Sequence, residues 1–139
     1  MSEENKALVR RWFAEVDKGN PTIEDELLPP DYIDHDPPLP GMAPGREGVK
    51  QANALLRAAF PDTVHTIEDQ VAEGDKVVTR LRGRGTFRGE CLGIPPNGKV
   101  VTIQGIAIHR IAGGKLVEHW GVADKLSFLQ QMDAIPPLG

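Results

Sequence analysis

The chain has 139 residues, 40% of them hydrophobic, which fits one globular domain spanning residues 1–139. Its formal net charge of −4 leaves no basic surplus to neutralise phosphates, so we expect no nucleic-acid partner. A single cysteine, Cys91, excludes an internal disulfide and a cysteine-rich zinc site. The N-terminus lacks an apolar signal core, and no run approaches the roughly 20 apolar residues of a membrane helix. We therefore expect a cytoplasmic protein that does not bind a membrane.

Helical periodicity characterises the first sixty residues. An amphipathic helix is predicted over residues 3–18, with its apolar face formed by Leu8, Val9, Trp12, Phe13 and Val16. A short helix is expected in "PTIEDELLPP", and a second amphipathic helix in "REGVKQANALLRAAF", which Pro61 ends. Between them, the proline-rich "DYIDHDPPLPGMAPG" predicts a brief extended segment followed by a loop.

The pattern changes to strand-like alternation after residue 60. Four runs predict strands: "TVHTIEDQVAEG", "KVVTRLRGRGTF", "KVVTIQGIAIHRI" and "KLVEHWGVAD". The connections "EGDK" and "AGGK" are short enough for hairpins, whereas "RGECLGIPPNG" is a longer link. A last helix is predicted over residues 125–132. Helices followed by an antiparallel meander indicate the α+β class.

Asp124 lies where the last strand passes into the last helix. Because Trp120, Val122 and Asp124 alternate, all three share one face of the strand. If Trp120 is buried, Asp124 faces the same apolar interior, where a desolvated carboxyl can exchange protons near neutral pH. Asp124 is also well placed as a helix N-cap, worth roughly 1 kcal/mol. The residues alone leave both roles open, and they place His119, of opposite parity, on the outer surface of the sheet.

Two other polar residues interrupt apolar patterns. Asn53 lies on the helical stripe of Val49, Ala52, Leu56 and Phe60. Its amide needs a partner, which is either a loop at the helix edge or a substrate oxygen in a pocket. His109 alternates with Gly105 and Ala107, and these small residues indicate either a ligand wall or close backbone packing.

His35 lies between two aspartates in "DYIDHDPP". It is a candidate pocket base, a metal ligand or a solvated turn residue, and the composition favours the turn. A metal would need further ligands from His65 or His109, whose spacing does not support a metal site. The glycines of "GRGTFRG" do not have the spacing of a dinucleotide fingerprint. We therefore expect neither a metal nor a cofactor.

Several motifs together carry a family resemblance: "LVRRWFAEVDKGN", "YIDHDPP" followed by "GREGVKQ", "FRGECLGIPPNGKVV" and "GKLVEHWGVAD". Over nearly its whole length the chain resembles the SnoaL-like polyketide cyclases, a family of the nuclear-transport-factor-2-like superfamily. The resemblance implies a curved antiparallel sheet that wraps the N-terminal helices into a cone with a deep apolar pocket.

The resemblance also implies site residues. Family members carry an acid/base aspartate at the end of the last strand, matched by Asp124, and an assisting histidine on the preceding strand, matched by His109. Asn53 matches a pocket asparagine on the helix before the sheet, and His35 falls where relatives carry a pocket-facing histidine or asparagine. Trp120 is expected to contact the substrate.

The function implied is a cofactor-independent aldol cyclisation within a polyketide-like ester, on a small apolar or polycyclic ligand. Asp124 would remove an activated α-proton while His109 and Asn53 bind developing oxyanions. One rival is another acid/base enzyme of this fold: an isomerase, a dehydratase or an epoxide hydrolase, the last needing a second carboxylate. The other rival is a module that binds a small ligand without turnover. We also expect a homodimer, because few helices are available to cover sheet residues such as Ile108.

Overall fold

The computed structural model describes residues 2–136. Within that range the helices are α1 (Ser2–Lys18), α2 (Ile23–Leu27), α3 (Gly45–Ala59) and α4 (Lys125–Gln131). The strands are β1 (Ile33–Asp34), β2 (Val64–Glu73), β3 (Lys76–Thr86), β4 (Val100–Ala112) and β5 (Lys115–Ala123). The predicted α+β class, the curved sheet and the N-terminal helices are confirmed. No helix in the described range is long and apolar enough to cross a bilayer.

One sheet joins all of these strands in the order β1-β5-β4-β3-β2. The four long strands form an antiparallel meander, and the short β1 pairs in parallel with β5. The register shifts between Ile67 and Asp69 in β2, and between Arg110 and Ile111 where β4 meets β5. Such bulges bend strands and add twist, and they change which residues face the core.

The two faces of the sheet have different surroundings. The inner face, which packs against α1 and α2, carries the register partners Val77 and His109, both buried. The outer face carries the partners Ile106 and Val122, whose exposed fractions are 48% and 78%. Strand alternation therefore separates a covered face from one that leaves apolar side chains in solvent.

Helix α1 covers one end of the inner face. Its Val9 and Trp12 are buried, and they belong to a core cluster with Val77, Ile111 and Leu116. Burying each such side chain stabilises the fold by roughly 1.5–3 kcal/mol. This burial explains why the helical stripe predicted from the sequence becomes the interior side of α1.

A second core cluster lies at the other end of the sheet. Phe60, which caps α3, stacks on Phe87 with 5.2 Å between ring centroids, and Phe128 of α4 packs on Phe60 at 5.8 Å. Gln131 fastens α4 to β4, because its side chain donates to the carbonyl of Thr102 and accepts from the Thr102 N–H. The C-terminal helix is thus held against the end of β4.

Candidate active site

The short strand β1 brings a carboxylate beside a histidine on the inner face. Asp34 and His119 are register partners in the parallel pairing of β1 with β5. The Nδ1 of His119 donates to Oδ1 of Asp34 across 2.8 Å, and both side chains are mostly buried. A carboxylate on Nδ1 fixes the tautomer and leaves Nε2 as the nitrogen that can meet a substrate.

The surroundings of Asp34 favour its charged form. Burial on its own would raise the pKa of Asp34. The hydrogen bond from His119, the positive charge that His119 carries when protonated, and the hydrogen bond from the backbone N–H of Asp36 together lower it. The nearby Tyr32 is also buried, and burial followed by the negative charge of Asp34 raises the pKa of its phenol. At neutral pH the site therefore holds an ionised carboxylate next to a neutral phenol.

His109 is a second, deeper histidine of this site. Only 2% of it is exposed, and its ring lies 4.8 Å from that of His119 between centroids. Burial, followed by the neighbouring His119, lowers the pKa of His109 to about 3, so this imidazole is neutral at physiological pH. Its buried Nδ1 has no hydrogen-bond partner among residues 2–136. An unpaired polar atom in a protein interior is uncommon and calls for a functional explanation.

A further aspartate–histidine pair closes the inner face toward α1. His65 of β2 bonds through Nδ1 to Oδ1 of Asp17 at 2.6 Å, and its backbone N–H donates to the same carboxylate. Phe13 lies between this pair and the deeper histidine, 5.3 Å from the ring of His65 and 6.1 Å from that of His109. Phe13 thus forms an apolar wall of the site.

Asp124 is not where strand parity predicted. Trp120 and Val122 point to the outer face, and the side chain of Asp124 is exposed and accepts the Ser127 N–H at 3.1 Å. This is the capping geometry expected for the start of α4. The prediction that Asp124 faces the apolar interior is therefore wrong. Asp124 lines an open depression of about 360 Å³ beside Glu68.

The bulge between β4 and β5 explains this error. Leu116 is buried opposite Ile111, and uninterrupted alternation from Leu116 would turn all even-numbered residues of β5 inward. Val117 is instead skipped in the pairing, so the odd-numbered residues that follow it point inward. His119 consequently lies on the inner face, and its predicted outer position is also wrong.

Trp120 and His35 form a pair on the outer side of the sheet. Their rings stack with 5.0 Å between centroids, and Lys76 Nζ lies 5.9 Å from the centre of the Trp120 ring. The exposed His35 donates through Nε2 to Glu118 at 2.7 Å, and this bond together with that from Arg110 lowers the pKa of Glu118. His35 and Trp120 are therefore close to each other but lie across the sheet from His109.

Asn53 has a protein partner. Its Nδ2 donates to Oε2 of the buried Glu24 at 2.9 Å, which ties α3 to α2. The amide on the apolar stripe is thus satisfied by a neighbouring helix, where the sequence suggested a loop or a substrate. No group of three or more His, Cys, Asp or Glu in the described part of the chain is arranged to hold a metal ion.

The sequence analysis missed Asp34 and His119 as partners. Asp34 was visible only as a neighbour of His35, and nothing local shows that β1 would pair with β5 in parallel. The hairpin "AGGK" gives an approximate register for β4 and β5, but the bulge within the pair changes the outcome by one residue. Long-range pairing, which local patterns do not encode, assembles this site.

The helices packed inside a curved sheet, with titratable side chains on its inner face, define the nuclear-transport-factor-2-like class of folds. A family model described as SnoaL-like polyketide cyclase matches residues 7–132, and the chain belongs to this family. The chain is similar to aklanonic acid methyl ester cyclase DnrD from Streptomyces peucetius, with 29% identity over 90% of this chain and 88% of that protein.

Two solved structures illustrate how close the folds are. TsrD from Streptomyces laurentii superimposes with a TM-score of 0.85 and 31% identity, covering 96% of this chain and 97% of that one. IdmH from Streptomyces antibioticus gives a TM-score of 0.80 and 32% identity over 93% of this chain and 98% of its own. The family prediction made from the motifs is confirmed.

Proposed function

We propose that this protein is an acid/base enzyme that cyclises a polyketide-like ester by an intramolecular aldol reaction without a cofactor. The observation that carries the proposal is the Asp34–His119 pair on the inner face, with 2.8 Å between Oδ1 and Nδ1. Its ionised carboxylate and fixed imidazole tautomer are the features that general-base catalysis requires. Membership of the SnoaL-like polyketide cyclase family supports a cyclisation.

His119 would act first as a base, which accepts a proton from the substrate, and then as an acid, which returns it. Nε2 first accepts an α-proton from the carbon activated by the ester and a neighbouring carbonyl, while Asp34 stabilises the resulting imidazolium. The enolate carbon then attacks a ketone carbon of the same molecule, forming a C–C bond and an alkoxide. The alkoxide takes the proton back from Nε2–H, so the product is an isomer of the substrate and nothing is oxidised or reduced.

His109 would assist as a neutral group. Because its imidazole carries no charge at neutral pH, it does not repel the imidazolium that forms on His119 at 4.8 Å. Its buried and unpaired Nδ1 is the kind of polar atom that binds a substrate oxygen, and such a preorganised contact can contribute several kcal/mol. This proposal gives the acid/base role to His119 in place of Asp124, whereas the roles of His35, Asn53 and Trp120 in substrate binding stay predictions.

A second candidate function is hydration of an epoxide-like substrate. That chemistry needs a second carboxylate, and Asp36 supports it because its Oδ2 approaches Gly121 on the inner face next to His119. Product mass separates the possibilities. A cyclase or isomerase product keeps the substrate mass, a dehydratase product loses water, a hydrolase product gains water, and a binding module returns its ligand unchanged.

The experiment is a turnover assay with aklanonic acid methyl ester, the compound named for the relative from Streptomyces peucetius, and with related polyketide esters. We expect an isomeric cyclised product from the wild type and strongly reduced product from His119→Gln. Binding without conversion of any tested ester would contradict the proposed enzyme and favour the ligand-binding alternative.

We also infer that two copies associate through the outer face of the sheet. Apolar side chains stand exposed there, with 58% of Val71, 48% of Ile106 and 78% of Val122 accessible to solvent. Contiguous exposed apolar surface favours association, and a symmetric pair would cover the same patch on both copies.

A further inference from the structure

Gly121 of β5 has no backbone reason to be glycine. It lies on the inner face, opposite Ala107 and two residues after His119. Its φ lies outside the left-handed region that favours glycine, unlike that of Gly113 and Gly114 in the preceding turn. The missing side chain is therefore explained by what lies in front of the residue.

Two proton acceptors converge on the space in front of Gly121. A Cβ atom at this position would lie 3.0 Å from Nε2 of His119 and 3.2 Å from Oδ2 of Asp36. Both distances are shorter than ordinary van der Waals contact with carbon. Any side chain at position 121 would therefore press on the nitrogen that the proposed mechanism uses.

Asp36 is held in this position by contacts on its other atoms. Its Oδ1 accepts from Lys125 Nζ at 2.8 Å, and its backbone N–H donates to Oδ1 of Asp34 at 2.9 Å. Oδ2 is left on the side of Gly121. The Nδ1 of His119 is already bonded to Asp34, so Nε2 is the ring nitrogen beside Gly121.

We propose that Gly121 is a specificity-determining residue that keeps Nε2 of His119 and Oδ2 of Asp36 open to the substrate. Two neighbouring acceptors suit a substrate that carries a hydroxyl group near its acidic carbon. The O–H donates to Asp36 while the C–H faces His119. The inference rests on the proposed function and adds to it a substrate class, the β-keto esters that carry a hydroxyl group near the acidic carbon.

Accessibility of Nε2 can be measured without a substrate. Diethylpyrocarbonate acylates accessible imidazole nitrogens, and peptide mass spectrometry resolves each histidine. We expect Gly121→Ala to slow acylation of His119 severalfold, and Asp36→Ala to accelerate it, because one change fills the space and the other empties it. The exposed His35 serves as the internal reference for reagent activity.

Gly105→Ala is the matched control. A Cβ there would also meet its nearest neighbour at 3.0 Å, but that neighbour is the carbonyl oxygen of Val122 and not His119. We expect diethylpyrocarbonate to acylate His119 at the same rate in this variant as in the wild type. Equal acylation of His119 in the wild type and in folded Gly121→Ala, or equal slowing in Gly105→Ala, would overturn the assignment.

Turnover separates this inference from the proposed function. If the wild type converts a polyketide ester, kcat/KM in Gly121→Ala should fall more for a β-keto ester with a hydroxyl group near the acidic carbon than for an analogue without the O–H. Equal losses for both would overturn the substrate class. If the wild type converts no ester while the acylation pattern holds, the proposed reaction fails and the accessibility role of Gly121 stands.

Discussion

Asp34 and His119 face each other as direct register partners of β1 and β5, with 2.8 Å between Oδ1 and Nδ1. The residues are 85 positions apart in sequence and meet because a two-residue strand pairs in parallel at the edge of the sheet. Strand pairing fixes the backbone of both residues, so the hydrogen bond forms with little further loss of side-chain freedom. A preorganised pair of this kind is what proton transfer requires.

Replacing the carboxylate of this pair tests its part in catalysis. Asp34→Asn keeps the shape of the side chain but cannot stabilise an imidazolium on His119, so turnover should fall roughly 10²-fold or more. The measurement is kcat on any ester that the wild type cyclises. Asp31→Asn, at an exposed position on the same segment, is the matched control and should retain full activity. Equal turnover in the two variants would remove Asp34 from the mechanism.

The buried His109 should make the fold sensitive to acid. Its pKa of about 3 lies below the ordinary value of 6.5, so between these values the unfolded chain binds a proton that the folded chain does not. The free energy of unfolding contributed by this group therefore falls as pH falls below about 6.5, by up to about 1.4 kcal/mol per pH unit. Denaturant unfolding between pH 7 and pH 5 measures this slope.

His109→Gln is the comparison for that slope, because glutamine does not titrate in this range. The variant is expected to be less stable at pH 7 yet to lose less stability on acidification than the wild type. Parallel stability curves for the two proteins would show that His109 is not the group responsible.

Substitutions of Asp124 separate capping from catalysis. Asparagine caps a helix about as well as aspartate, so Asp124→Asn should change stability by only a few tenths of a kcal/mol, whereas Asp124→Ala should lose about 1 kcal/mol. Because Asp124 is exposed and bonded to the Ser127 N–H, we expect turnover of Asp124→Asn to stay near the wild-type value. A roughly 10²-fold loss of turnover in the folded variant would support the acid/base role that the family resemblance implies.

The outer face should determine the oligomeric state. We expect sedimentation to give twice the 15.2 kDa mass of one chain at micromolar concentration. A charge in the apolar patch, as in Val122→Glu, should shift the protein to monomers without unfolding it, since this side chain is 78% exposed within one chain. Val64→Glu, the same change at a 57% exposed apolar residue of β2, is the comparison variant. A wild-type monomer would contradict the homodimer.

Local patterns determined most of the fold. The helix predicted over residues 3–18 is observed at Ser2–Lys18, and the four predicted strand runs correspond to β2, β3, β4 and β5. The extended segment before the proline-rich loop is the short β1. Periodicity is reliable here because amphipathic segments of this length bury their apolar face in only one way.

Side-chain direction in β5 was decided by tertiary structure. Sequence alternation correctly grouped Trp120 with Val122 and Asp124, but it could not locate the bulge at Val117 that turns this group outward. A bulge of one residue reverses parity because side chains alternate with a period of two. The same shift brings His119 inward, beside Asp34 and His109. The sequence by itself thus determined the family, the elements and one histidine of the site, whereas the partners of that histidine depend on strand register, which long-range pairing alone specifies.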